Sequence, residues 1–248
     1  MRGIRHVVAF LTILPSGMDG NDCSLAAEYM ALFPLVGAVI GLLGGTFTWV
    51  LEFFIPSLLA AALGLGMLLL INGAQHVDGL LDFGDGIMCH GSKARKLRVM
   101  RDPQTGAGGF TLGWMILSAT TFAIASLNQR ILVHALILAE TAAAFSMVFQ
   151  TFAGKPAHKG MFSFFWSAMR RNGNVRILVS AILMLLIAVA TLYKIGLAVC
   201  LVAVAIPLVI ISISNHTFGG ITGDVLGATN ELTRLTSLII IVALMKWS

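Results

Sequence analysis

Residues 175–214, VRILVSAILMLLIAVATLYKIGLAVCLVAVAIPLVIISIS, contain only two charged side chains, Arg176 and Lys194. A helix that crosses a bilayer needs about 20 predominantly apolar residues. The stretch therefore reads as two crossings, 175–193 and 196–214, with Lys194 at the turn between them. The same reading carried outward gives further spans at 30–54, 57–75, 109–127, 131–152 and 235–247. The second is short and its end merges into an acidic segment. The last is also short and ends at the interface through Lys246 and Trp247. Seven crossings result, within a range of six to eight.

Composition agrees. Apolar residues make up 58% of the chain and charged residues 11%, with a mean hydropathy of +0.92, against about 45–50% and 25% in soluble domains. The expected fold is all-α: a polytopic helical bundle forming one integral-membrane domain over residues 1–248, with no room for a second globular domain. The 26 glycines suit helices that pack closely in lipid. One GxxxG pattern, Gly37-Ala38-Val39-Ile40-Gly41, permits helix contact within or between chains, so oligomeric state stays open. The twelve Met and the Phe residues read as lipid-facing packing.

Charge patterning gives an orientation. Thirteen of the sixteen Lys and Arg, including Lys93, Arg95, Lys96, Arg98, Arg101 and Arg234, fall on one side of seven spans. Arg130, Lys194 and Lys246 fall on the other. The basic side is expected to be cytoplasmic, in the cell membrane, so the net charge of +5 is not a sign of nucleic-acid binding. Cys23, Cys89 and Cys200 form no CxxC pair, which argues against a zinc site or disulfide framework. Met1–Pro15 reads as an interfacial or re-entrant segment.

Against this apolar background, acid is scarce. The chain has eleven Asp and Glu, and six of them lie within 78–102 and 224–231. Two segments, near 72–113 and 215–234, are expected to form a cytoplasmic active site. On a helix, Asp78, Asp82 and Asp85 stand at i, i+4 and i+7 and share a face. Carboxylates so crowded repel unless protons or a cation intervene, and Mg²⁺ is a suitable hard cation for oxygen ligands. The basic run Lys93–Arg98, then Arg101, and the glycines around Gly106 add the parts of a phosphate-handling site. The competing reading is a solvated loop after a span. In the second segment Asp224 and Glu231 are again i and i+7. There the competing reading is a helix start capped by Thr222, with Asp224 favoured by the dipole. His76 reads as a ligand, a base or a hydrogen-bonded structural group. Glu140, mid-span, is either functional or protonated and bonded to a neighbouring helix. Glu52 and His134 read as interfacial.

Taken together, these motifs resemble those of the cobalamin synthase (adenosylcobinamide-GDP ribazoletransferase) family. Phe10-Leu11-Thr12-Ile13-Leu14-Pro15 and Phe33-Pro34-Leu35-Val36-Gly37 are similar to its opening segments. His76-Val77-Asp78-Gly79-Leu80-Leu81-Asp82-Phe83-Gly84-Asp85-Gly86 resembles its HxDGLxDxxDG motif. Met100-Arg101-Asp102-Pro103-Gln104-Thr105-Gly106 resembles its M[KR]DxxxG turn, and Thr222-Gly223-Asp224-Val225-Leu226-Gly227-Ala228 with Glu231 its TGDxLGAxxE motif. The resemblance implies transfer of phosphocobinamide from adenosylcobinamide-GDP to α-ribazole or its 5′-phosphate, with release of GMP and use of Mg²⁺. It implies metal ligation by Asp78, Asp82, Asp85 and Asp224, and catalytic roles for His76, Asp82, Asp102 and Glu231. Substrate contacts would come from Lys93, Arg98, Arg101, Gly106 and Thr222. Two departures stand out: the helix around Glu140 carries no arginine, and 155–174 matches less clearly. The rival readings are a CDP-alcohol phosphotransferase, whose DGxxAR pattern is not met after Asp85-Gly86, and a divalent-cation transporter, which would hold its carboxylates near the bilayer midplane.

Overall fold

The computed structural model describes residues 2–15 and 23–246; Trp247, expected at the end of the last span, lies outside them. Among the described residues the regular elements are all helices, joined by short loops. The elements are α1 (Arg2–Leu11), α2 (Cys23–Glu28), a 3₁₀ turn (Met30–Leu32), α3 (Phe33–Leu51), α4 (Ser57–Ile71), α5 (Gln75–Met88), α6 (Lys93–Val99), α7 (Ala107–Ala125), α8 (Leu132–Ala153), α9 (Met161–Thr217) and α10 (Gly223–Lys246).

Among the described residues, five helices or helix runs are long and apolar enough to cross a membrane: the turn with α3, then α7, α8, α9 and α10. α4 and α5 pass that test only together, bent by 95°. α9 is itself two crossings. Its backbone leaves helical geometry at Leu192 and Tyr193, and a Cβ on Gly196 would overlap the Ala188 carbonyl oxygen. In a straight helix eight residues would separate those groups by about 12 Å, so the chain doubles back there. Among the described residues, counting α9 as two limbs gives six crossings, and the bent α4–α5 pair, a broken span or a re-entrant loop, makes seven where it crosses.

Two boundaries differ from the sequence reading. The last span does not begin at 235 but at Gly223, so the second acidic segment is the first half of a 24-residue helix. The second span does not run smoothly into the aspartates. α4 stops in a Schellman cap: Gly73 N–H donates to Leu70 O at 3.0 Å and Ala74 N–H to Leu69 O at 2.9 Å, with Gly73 and Ala74 both at positive φ.

α8 is the central post, buried along nearly all of Leu132–Thr151. Its Ala-rich surface admits neighbours closely on every side. The GxxxG pattern is spent within the chain. A Cβ on Gly37 would meet the Glu140 carbonyl oxygen at 2.5 Å, and one on Gly41 would overlap that of Leu136, so α3 lies backbone to backbone on α8. α1 packs against α2 and α3, burying Val7 and Leu11. Glu28 at the end of α2 pairs with Arg171 and Arg176 of α9.

Candidate active site

α5 is wedged between α10 and α7, and glycine makes both contacts possible. A Cβ on Gly79 would stand 2.7 Å from the Asp224 carbonyl oxygen, and one on Gly227 would stand 3.0 Å from that of His76. On the other side a Cβ on Gly84 would meet Gly108 O and Gly109 Cα at 3.0 Å. With its small residues turned inward, α5 leaves Asp78 exposed and Asp82 half-buried beside the first turn of α10. The charges of Asp224, Asp78 and Asp85 all act on Asp82. The two acidic segments, 142 residues apart at Asp82 and Asp224, thus form one cluster. Gly79→Val is expected to retain helicity by circular dichroism yet lose about 10²-fold in turnover, since an ångström of misplacement carries that cost. Gly66→Val, where nothing lies within 4 Å, is its control; equal turnover in the two variants would contradict the crossing.

The three aspartates of α5 do not act alike. Both oxygens of Asp85 accept from the start of α7, from Gly106 N–H at 2.7 Å and Gly109 N–H at 2.8 Å. Asp85 thereby caps α7 and satisfies its free amides, and the Gly106 amide is engaged by protein. Thr222 caps α10, its Oγ1 accepting from Val225 N–H at 3.3 Å while its hydroxyl donates to Asp224 Oδ2 at 3.2 Å. The capping reading of this segment therefore holds, and the cap leaves Asp224 beside α5.

The basic residues are spread around the cluster. Arg101, exposed, acts electrostatically on Asp224. Lys93 Nζ donates to the Asn215 carbonyl oxygen at 3.1 Å and ties α6 to the end of α9. Arg98 is exposed, as is Asp102, whose Oδ1 accepts from Gln104 N–H at 3.0 Å. His158, passed over in the sequence, also acts on Asp224. Its loop is pinned by Ala157 N–H to Ile221 O at 3.0 Å and Ile221 N–H to Lys155 O at 2.8 Å. A Pro, two Lys and a Gly around His158, between two spans, was the available signal.

Glu231 and Arg234 lie deeper than expected. Arg234, counted among the loop cations, is fully buried in α10, reducing the thirteen to twelve. Its guanidinium pairs with Glu140 of α8 and Glu231, and its Nη2 donates to Glu140 Oε2 at 3.1 Å. Glu140 is thus paired with an arginine of α10. His76 is 8% exposed, and its Nδ1 has no hydrogen-bond partner. It lines a cavity of about 160 Å³ that also meets Asp78, Asp224 and several Phe and Met side chains. Those Phe and Met face inward, contrary to a purely lipid-facing role. Among the described residues no three acidic, His or Cys side chains converge as a ready-made metal cage.

A family model described as cobalamin-5-phosphate synthase matches residues 3–242. The chain is similar to three curated proteins named adenosylcobinamide-GDP ribazoletransferase. The one from Methanocella arvoryzae is 33% identical over 96% of this chain and 94% of its own length. That from Methanococcoides burtonii is 32% identical over 96% and 90%, and that from Thermococcus kodakarensis 32% over 98% and 99%. No solved structure matches the chain.

Proposed function

The chain belongs to the cobalamin-5-phosphate synthase family, and we propose that it transfers phosphocobinamide from adenosylcobinamide-GDP to ribazole or ribazole phosphate. The observation that carries this is the α5–α10 crossing, which joins the acidic segments into one cluster flanked by cations. The acceptor hydroxyl oxygen forms a bond to the cobinamide-side phosphorus. The bond from that phosphorus to the oxygen of GMP breaks, GMP leaves, and the hydroxyl proton passes to a carboxylate of the cluster or to His76. Arg101 balances charge on the guanosine phosphates, with Arg98 on the same basic strip.

Asp78, Asp82 and Asp224 are the residues that would hold Mg²⁺. The donor set fits: all are oxygen ligands, and Mg²⁺ typically takes one or two carboxylates plus substrate phosphates rather than a closed protein cage. Asp85 fits less well, because both its oxygens already accept backbone N–H groups. Held by Asp78, Asp82 and Asp224, Mg²⁺ would supply neutralisation of phosphate charge. The basic excess, even without Arg234, supports a cytoplasmic site in the cell membrane. Neither rival reading gains support: Asp78 and Asp224 lie in the first turns of α5 and α10, whereas a transporter would hold its carboxylates near the bilayer midplane.

The test is turnover in liposomes with adenosylcobinamide-GDP, ribazole phosphate and Mg²⁺, following cobamide and GMP by chromatography. Both products are expected in equal amounts, with loss in excess chelator and recovery when Mg²⁺ is returned. Folded protein that forms neither product with either acceptor would sink this reading, and unchanged turnover in chelator would sink the metal assignment alone.

A further inference from the structure

We propose that the groove between the 156–160 loop and the start of α9 binds an anionic phospholipid, with Lys159 and Arg170 on its phosphate and Phe164 and Trp166 against its acyl chain. The bound lipid also steadies that loop. α9 leaves helical geometry at Asn172 as well, so residues 161–171 form a segment of their own ahead of its first limb. One face of that segment is core. Phe162, Phe165, Ala168 and Met169 are buried, and the Phe165 ring packs on Phe10 of α1 and Phe33 of α3 at 4.9 and 6.0 Å between centroids. The other face carries Met161 and Phe164, the latter 57% exposed, and also the exposed Arg170. Water would leave those apolar side chains wet, and the hydrocarbon core would strand the cation. At headgroup level both are satisfied, and Trp too is favoured at that depth.

The charge balance selects the headgroup. Residues 154–176 hold five Lys and Arg and no Asp or Glu. Glu28 pairs with two of the five, Arg171 and Arg176. Among the described residues, Lys155, Lys159 and Arg170 have no carboxylate partner, and all three are exposed. Such cations draw anionic lipid. The groove measures about 670 Å³ and has mostly apolar walls, with Lys159 on the loop side and Phe164 and Trp166 on the helix side. Arg170 lies over the Trp166 ring, 5.9 Å from its centroid, which sets it at the edge of the groove. The far side of the loop is already held. Trp166 Nε1–H donates to Gly154 O at 3.0 Å, and the amides of Ala157 and Ile221 join the loop to the start of α10. A lipid bridging Lys159 and Arg170 closes the remaining open side, next to His158, whose charge acts on Asp224.

The test is lipid retention by the full chain, released from nanodiscs of mixed phosphatidylglycerol and phosphatidylcholine and weighed by native mass spectrometry. The wild type is expected to prefer phosphatidylglycerol about thirtyfold, the effect of two basic side chains at an anionic headgroup. The double variant Lys159→Ser, Arg170→Ser should retain the two lipids equally. A control pair, Arg130→Ser with Lys194→Ser, removes the same charge from the exposed turns before α8 and within α9 and should keep the preference. Hydrogen exchange at the Ala157 and Ile221 amides should be about tenfold slower in phosphatidylglycerol discs than in phosphatidylcholine discs. Equal retention by the wild type would overturn the proposal, as would equal loss of preference in both double variants. Displacement of phosphatidylglycerol by GMP would make the groove a nucleotide-phosphate site instead. A wild-type dimer that separates only in the Lys159 and Arg170 variant would make it a surface for a second copy. Unchanged exchange at both amides with lipid bound would overturn the effect on the loop. Neither readout uses the reaction proposed above, so each can fail without the other.

Discussion

Asp82→Asn is expected to lower kcat by at least about 10³-fold while leaving the fold as stable as before, or more so. The substitution is nearly isosteric, so any loss is electrostatic. Asp82 lies in the middle of α5, half-buried, with the negative charges of Asp224, Asp78 and Asp85 acting on it. In the resting protein that crowd is a repulsive cost, and removing one member relieves it. In the proposed reaction the same crowd would hold the Mg²⁺ that offsets charge on the phosphates, an effect of several kcal/mol, or about three decades of rate. Stability and activity should therefore move in opposite directions, as at other sites where strain serves function. The measurement pairs a thermal unfolding midpoint with single-turnover GMP release. Wild-type turnover in the variant would remove Asp82 from the metal shell. A lowered midpoint would show that its role is structural.

How much of this was legible in the chain follows physical lines. The crossings were readable because hydrophobic length is a local property, and 175–214 yields its two limbs without any knowledge of neighbours. The condition attached to the i, i+4, i+7 spacing is met, since α5 is a helix. Division of labour within that spacing was hidden. Asp85 caps α7 because Gly106 and Gly109 arrive across 21 and 24 residues of chain, and no local pattern encodes such a meeting. The Asn72-Gly73 pair was a readable helix stop, yet an apolar run on one side and an acidic one on the other disguised a sharp bend as a continuous span. Arg234 is the clearest misreading. A lone arginine before an apolar run suggests a loop, and only the packing of α10 on α8 reveals its partners. His158 was missed for a related reason, since its importance comes from the loop at Ile221 that holds it near Asp224.

That buried arginine carries the largest expected effect on stability. In Arg234→Met, Glu140 and Glu231 would be left in the bundle interior with no countercharge, and Glu231 Oε1 has no hydrogen-bond partner even in the intact protein. Removing one member of a buried ionic group costs about 3–5 kcal/mol. For a chain of this size that is a fall of about 10 °C in the unfolding midpoint. Replacing all three charges together, as Glu140→Leu, Arg234→Met and Glu231→Leu, should recover most of it, because the penalty belongs to the unpaired charge and not to the absent attraction. The comparison separates two ideas about why the group exists. If its purpose is stability, the triple variant stays weak. If it sets the register of α10 against α8, the triple variant is stable but misplaces Asp224, which stands ten residues earlier on the same helix. Its turnover then falls while its midpoint holds. An unchanged midpoint in the single variant would mean that the three side chains do not meet in the bundle interior at all.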